Sequence, residues 1–211
     1  MTTAIVGTGN IGSRLAANLV TGGENVLVAS RNLDDARALA TRLGERATAV
    51  TVDEAVEAAD TVILAVWFDS IKELVERYGD RLAGKIVVDP SNPIAQNEQG
   101  EFSKTIPENE SAGATIAALL PPGARAVKAF GTLTADSLTS AARRSPDQAV
   151  GFYATDDEAA GRTVADLIRA AGFDPLRVGG IDQSLRIEVF GDLHEFSLGS
   201  VPSLNEAKKL V

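Results

Sequence analysis

Cysteine is absent from the chain, and histidine occurs once, as His194. The first absence excludes disulfides, thiolate catalysis and cysteine metal sites. The second excludes a histidine-rich metal centre, and no metal site is expected. No apolar stretch approaches the roughly 20 residues that a membrane helix needs, so no membrane partner is expected. Basic residues are in the minority, 20 Lys and Arg against 29 Asp and Glu, for a net charge of -9. That balance argues against a nucleic-acid partner, although a local positive patch can still hold a phosphate. A first strand starting at about Thr3 leaves no space for a signal peptide, and the expected compartment is cytoplasmic. A Ser-His-Asp set, paired metal ligands and a Walker motif are all missing, so no catalytic residue is assigned. What remains is ordinary. The chain has 211 residues, 45% hydrophobic and 23% charged, which suits one globular domain or one domain with an appendage.

The most informative stretch is Thr2–Gly12, TTAIVGTGNIG. Ala4, Ile5 and Val6 are long enough for a buried strand. Gly7-Thr8-Gly9-Asn10-Ile11-Gly12 then reads G-x-G-x-x-G, and Leu15 and Leu19 continue an i, i+4 series from Ile11. A helix therefore opens inside the motif. Gly7 allows the tight turn, Gly9 leaves space for a pyrophosphate against bare backbone, and Gly12 lets helix and strand lie close. The free N–H groups of the helix start face the phosphates. An ordinary glycine-rich turn without ligand is the alternative. The strand–turn–helix context favours a dinucleotide site.

Beyond Gly22-Gly23 the pattern alternates. Strands are expected at Val26–Ala29, Thr48–Thr51, Thr61–Val66, Lys85–Asp89, Ala126–Phe130, Ala149–Ala154 and Phe173–Val178. Helices are expected at Leu33–Leu43, Asp53–Ala59, Ile71–Tyr78, Ala112–Leu120 and Asp157–Gly172. Ile94–Pro107 reads as a long polar loop. This alternation gives an α/β, doubly wound, mostly parallel sheet with right-handed crossovers. The expected division is a nucleotide-binding domain over residues 1–179 and a small helical segment over 180–211. Helical turns are expected at Ile181–Gly191 and Asn205–Val211. So short a tail is not a separate substrate domain of usual size. It is expected to cover an acceptor pocket or build a dimer.

Ligands in open α/β sheets sit beyond the carboxyl ends of the strands. At the second strand's exit an NAD site places an acid for the ribose hydroxyls. Here Ser30 and Arg31 stand instead, a hydroxyl and a guanidinium suited to a 2′-phosphate. NADP is therefore expected over NAD, with a helix cap and a solvated arginine as the alternative. Trp67 and Phe68 are core residues or walls of a nicotinamide pocket. Asp89 is a base or a turn residue before Pro90. His194 is a proton donor or a structural histidine.

VGTGNIG, VASRN, VVDPSNP and VKAFGTL resemble the NADP-dependent oxidoreductases of the 8-hydroxy-5-deazaflavin:NADP (coenzyme F-420) type. Similar motifs occur in the cytosolic domains of transmembrane ferric reductases. The resemblance covers roughly Thr2–Val178. It implies a Rossmann fold with a small helical C-terminal part, usually a homodimer, and hydride exchange between NADP(H) and a deazaflavin or flavin. By position it implies that Thr8, Gly9, Asn10 and Ile11 hold the pyrophosphate and that Ser30 and Arg31 take the 2′-phosphate. Ala65 and Val66 would line the nicotinamide side, and Thr132, Leu133 and Ala135 would close the pocket between the two rings. The partner is then a small-molecule redox acceptor. An imine or carbonyl reductase related to pyrroline carboxylate reductase and a non-enzymatic NADP-binding redox sensor stay open as alternatives.

Overall fold

The computed structural model describes residues 1–211. Its elements are β1 (Thr3–Val6), α1 (Asn10–Thr21), β2 (Val26–Ala29), α2 (Leu33–Leu43), β3 (Ala47–Val50), α3 (Val52–Ala58), β4 (Thr61–Leu64) and α4 (Phe68–Tyr78). Then come β5 (Ile86–Asp89), β6 (Ile94–Gln96), β7 (Phe102–Lys104), α5 (Ala112–Leu119), β8 (Arg125–Ala129), α6 (Ala135–Ser140), β9 (Val150–Ala154), α7 (Glu158–Ala170) and β10 (Asp174–Gly179). A 3₁₀ segment (Ile181–Ile187) and two single-turn helices, α8 (Glu195–Leu198) and α9 (Leu204–Ala207), finish the chain. No helix is long and apolar enough to cross a membrane.

Eight strands form one sheet in the order β3-β2-β1-β4-β5-β8-β9-β10. All neighbours are parallel except β8 and β9. The α/β, doubly wound, mostly parallel architecture is the one expected. Successive strand residues point to opposite faces, and the two cores follow that alternation. Ile5, Ile63, Ile86 and Val88 pack on one face with α1 and α7 residues such as Leu15, Leu19, Val164 and Ile168. Ala4, Val62, Leu64 and Val87 pack on the other with Val56 of α3, Ile71 and Val75 of α4, and Ile116 of α5. Strands covered on both faces explain the uninterrupted apolar runs. Chain order reverses between β1 and β4, and the crevice of such a sheet opens there.

Two stretches differ from the sequence expectation. Ile94–Pro107 is not all loop: β6 and β7 pair antiparallel, Ile94 opposite Lys104 and Gln96 opposite Phe102. These strands have three residues each and are half-buried or exposed, too short to show alternation. Their turn is held by Asn97, whose Oδ1 accepts from the N–H groups of Gln99 (3.0 Å) and Glu101 (2.8 Å). Helix α6 was not anticipated, because six residues with one buried side chain, Leu138, give no period.

The C-terminal segment is tied to the sheet by a buried charge cluster. Lys128 on β8 is fully buried. Its Nζ lies 2.9 Å from Asp89 Oδ2 at the end of β5 and 3.3 Å from Glu188 Oε1 of the tail, and it donates to Ser91 O. Glu188 also accepts the N–H groups of Ala112 and Gly113, each at 2.9 Å. Burial opposes the charge on Lys128, but the carboxylates of Asp89 and Glu188 outweigh it and hold its pKa above the ordinary lysine value. The positive end of α5 meets the Glu188 carboxylate and offsets the second negative charge of the cluster. Removing one partner of such a set leaves a charge buried without compensation, at about 3–5 kcal/mol. Lys128→Met is expected to lose that much stability in urea unfolding. Combining it with Asp89→Asn and Glu188→Gln should restore most of the loss. A urea midpoint unchanged in Lys128→Met would show that the cluster does not hold the fold.

Candidate functional site

The site begins at the glycine turn. Gly7 has φ +116°, and a Cβ there would collide with Ala65 O. A Cβ on Gly12 would collide with Gly7 O and stand 3.2 Å from Ala65 Cβ. These two glycines let α1 start in contact with the ends of β1 and β4. Gly9 is different: a Cβ there would meet nothing within 4 Å. It is the N-cap of α1, with no side-chain cap and no acid in the first turn. The first hydrogen bond accepted by the cap is from Ser13 N–H, at 3.0 Å. The preceding N–H groups of the helix are therefore left for an anion. Open space above bare backbone, facing unpaired donors, fits a pyrophosphate.

A cleft of about 1150 Å³ runs from this turn in both directions. It exceeds the roughly 300–1,000 Å³ of an ordinary small-molecule pocket, so it can hold a dinucleotide together with a second molecule. Its wall includes Gly7, Thr8, Gly9, Asn10 and Ile11, then Ser30 and Arg31, then Ala65 and Val66, then Leu133 and Ala135. The structure thus brings together most of the residues singled out in the sequence. Gly12 and Thr132 lie off the wall. Gly12 is spent on the helix–strand contact, and Thr132 is 3% exposed, its carbonyl accepting Glu195 N–H at 3.2 Å.

At the β2 exit the cap of α2 is Asn32, whose Oδ1 accepts Asp34 N–H at 3.1 Å. That leaves the Ser30 hydroxyl free of the capping role. Arg31 is exposed and enters none of the ion pairs. The nearest acid in sequence order, Asp34, is paired with Arg37 at 3.0 Å. Ser30 and Arg31 therefore present an uncommitted hydroxyl and guanidinium to this end of the cleft.

Trp67 and Phe68 divide the two roles open to them. Phe68 is 4% exposed and belongs to the core under α4, whereas Trp67 is 68% exposed on the cleft wall. Asp89 does not face the cleft. It is 3% exposed, and its Oδ1 accepts Ser91 N–H at 2.7 Å while Oδ2 receives Lys128. It shapes the turn and closes the buried cluster.

The far end of the cleft comes from residues that sequence reading left unassigned. Asn92, just past β5, donates to Gly131 O at 2.9 Å and accepts Val189 N–H at 2.7 Å. It joins the β5 exit, the β8 exit and the tail. Gly131 is close-packed, and a Cβ there would stand 2.9 Å from Pro90 O. Phe130 beside it is buried with φ +65°, an outlying backbone for a bulky residue. Val189, His194 and Phe196 of the tail complete the wall with Ile94 and Phe102. The sequence offers one signal for this end, the apolar residues of a tail too small to bury them alone.

His194 is 2% exposed. Its Nδ1 accepts Phe196 N–H at 3.2 Å, and its ring stands edge-on to Phe196 with centroids 4.8 Å apart. Burial pushes its pKa below the ordinary histidine value, against a smaller upward pull from the Glu195 carboxylate. Of the two roles open to it, the structure shows the structural one: it caps a helix of a single turn, α8.

Residues 2–93 match the sequence profile of the family described as NADP oxidoreductase, coenzyme F420-dependent. The chain is 27% identical over 194 residues to the F420-dependent NADP reductase of Methanothermobacter thermautotrophicus, across 87% of this chain and 83% of that protein. It is 31% identical over 185 residues to metalloreductase STEAP3 of Rattus norvegicus, across 87% of this chain. The chain spans only 35% of that metalloreductase. Among solved structures, a hypothetical protein from Sinorhizobium meliloti superposes with a TM-score of 0.81 at 32% identity, with 92% of each chain covered. The profile match falls on the glycine turn, the β2 exit and the β4 and β5 exits, which build most of the cleft, and the fold beyond it is shared along nearly the whole chain: the chain is similar to the NADP oxidoreductases of the coenzyme F420-dependent type.

Proposed function

We propose that the chain binds NADPH in the cleft and reduces a small, flat acceptor of the deazaflavin or flavin class. One observation carries this reading. A single cleft joins an open pyrophosphate cradle at Gly9 and an uncommitted Ser30–Arg31 pair to a second, aromatic-rich end at Trp67, Phe102 and Phe196. Bound NADPH supplies the hydride. The chain's own residues bind and orient. The N–H groups after Gly9 hold the pyrophosphate, with Thr8, Asn10 and Ile11 around it. Ser30 and Arg31 take the 2′-phosphate. Ala65, Val66 and Leu133 pack the nicotinamide end, with Ala135 and the carbonyl-anchored Thr132 loop behind it. Hydride transfer between stacked rings needs near-contact orientation more than an acid or base. The uncharged wall formed by Ile94, Leu133, Val189 and Phe196 suits that need. A homodimer is part of the proposal, with exposed Phe190 and Phe196 as its first candidates for contact. Light scattering tests it, and a monomer at assay concentration would remove it.

The acceptor is tested with purified protein, NADPH and a panel of a deazaflavin, riboflavin, FMN, ferric chelates and cyclic imines. Loss of reduced nicotinamide absorbance with the deazaflavin or flavins is expected. Turnover confined to imines would replace the reading with that of an imine reductase. Binding without any turnover would make the chain an NADP sensor.

Two substitutions probe the cofactor half. Gly9→Val adds a branched side chain into open space, so the fold and melting temperature should hold while NADPH binding collapses. Gly12→Val, by contrast, should fail to fold, because its Cβ has no place beside Gly7 O. Equal NADPH affinity in Gly9→Val and the parent would put the phosphates elsewhere. Arg31→Ala should lose a charge-assisted bond of roughly 1.5–3 kcal/mol, or about one to two powers of ten in NADPH affinity. NADH affinity should move little, and adding Ser30→Asp should turn the preference toward NADH. The readout is a pair of dissociation constants for each variant. Equal discrimination in parent and Arg31→Ala would remove Arg31 from the site.

A further inference from the structure

His194 is a buried polar group whose tautomer is set by its surroundings. Nδ1 accepts the backbone N–H of Phe196 at 3.2 Å, so Nδ1 carries a lone pair and the ring proton sits on Nε2. Nε2 has no partner within the protein. It is also not sealed off, unlike Thr61 Oγ1, Ser91 Oγ and Glu195 Oε2, the buried polar atoms left without partners. The residue lines the cleft, so the free N–H belongs to the cleft.

The ring is held from several sides. Phe196 stands against it edge-on. Glu195, the next residue, clamps the turn to the β8 exit: its N–H donates to Thr132 O at 3.2 Å, and its Oε1 accepts Thr134 N–H at 2.9 Å. Five residues back, Val189 is bonded to Asn92. A donor aimed into a pocket by a rigid frame is what a ligand-orienting group requires.

Its place in the sheet says which ligand. From Ser30 at the exit of β2 to the turn clamped at the exit of β8 there are four strand spacings, or about 19 Å at ~4.8 Å each. The pyrophosphate cradle lies at β1, so the 2′-phosphate end points toward β2 and the nicotinamide toward β4 and β5. His194 lies one strand farther, on the acceptor side.

We propose that His194 is the acceptor-binding residue of this site, its Nε2–H donating to the carbonyl edge of the acceptor ring. This rests on the reading that the acceptor is a flavin or deazaflavin. When such a ring gains a hydride, the electron pair of the nicotinamide C–H bond moves with it, and the nicotinamide is oxidised. The negative charge left on the acceptor spreads to its pyrimidinedione nitrogen and carbonyl oxygens. The Nε2–H bond strengthens toward that charge while keeping its proton, and water later supplies the proton of the reduced product. A neutral imidazole suits this role. Burial disfavours its charged form, and no carboxylate takes its Nε2 proton. The donor then favours rings with a carbonyl edge over acceptors without one, such as simple cyclic imines.

Two variants separate this role from simple helix capping. His194→Asn keeps an acceptor where Nδ1 caps Phe196 N–H, asparagine being a strong cap, but places nothing at Nε2. His194→Gln reaches the Nε2 position with an amide donor and gives up the cap. The probe is riboflavin, with kcat and KM for NADPH-dependent reduction and fluorescence quenching for binding in the presence of NADP+. NADPH affinity and melting temperature are measured alongside. If His194 binds the acceptor, Asn should keep parental melting and NADPH affinity but lose about tenfold to a hundredfold in kcat/KM and in riboflavin affinity. Gln should recover much of that loss at a lower melting temperature. The reverse pattern, a normal Asn variant and a defective Gln variant, would make His194 a cap alone and overturn the proposal. A parent protein that neither binds nor reduces riboflavin would also overturn it. The NADPH reading would stand or fall separately on its own affinity measurements.

Discussion

Backbone meets backbone where β1, α1 and β4 converge, with no side chain between them. Gly7 lies against Ala65 O, and Gly12 lies against Gly7 O. Any Cβ at either position would push α1 away from the sheet. The approach aims the first N–H groups of α1 over the crevice rather than into the core. It also leaves Gly9, the one glycine of the three with open space before it, as the floor of the cradle. The parallel order β2-β1-β4-β5 then sets the direction in which an extended ligand must lie. One steric constraint therefore decides both how the helix packs and where an anion goes.

The opposite half of the cleft depends on charge rather than on close packing. Lys128 sits among Asp89, Glu188 and the Ser91 carbonyl, all buried. Two carboxylates against one ammonium would leave an excess negative charge in a low-dielectric interior. The start of α5 answers it, with two N–H groups on Glu188. Ionic groups retained at such cost favour one arrangement over its neighbours. Here the arrangement fixes the tail against the exits of β5 and β8, and Asn92 extends the same fixation to Val189. The far wall of the cleft is thereby attached to the sheet that carries the glycine turn, although it comes from the last part of the chain.

The wall itself is mixed. Trp67 stands largely in solvent on the cleft rim, while Phe68, its neighbour in sequence, fills the core. A helix that starts at Phe68 turns one residue inward and leaves the other at the cap, so adjacent aromatics serve opposite ends. Phe196 is exposed on one side and supports the His194 ring on the other. Such half-exposed aromatics suit a face that stacks on a flat ligand.

Local signals sufficed for the sheet, its mostly parallel sense and the glycine-turn end of the cleft. Apolar runs of β-branched residues, a glycine motif between strand and helix, and Ser30-Arg31 at a strand exit act over a few neighbouring residues, and those neighbours are adjacent in sequence. The hairpin Ile94–Lys104 and helix α6 were illegible because three and six residues show no period. The far end of the cleft was illegible for a deeper reason. Asn92, Gly131 and the tail segment that holds Val189 and His194 lie far apart in the chain, and a lysine in the run AVKAF reads as a strand residue with its ammonium in water. Only the packing of the tail onto β5 and β8 gives Lys128 two carboxylates, gives Asn92 two backbone partners and leaves His194 with one nitrogen bonded and one free. The sequence by itself determined where open backbone stands at the start of α1, because glycine's missing side chain acts locally. Tertiary structure decided what lines the far end of the cleft, because a buried polar group takes its meaning from partners that only folding brings within hydrogen-bonding distance.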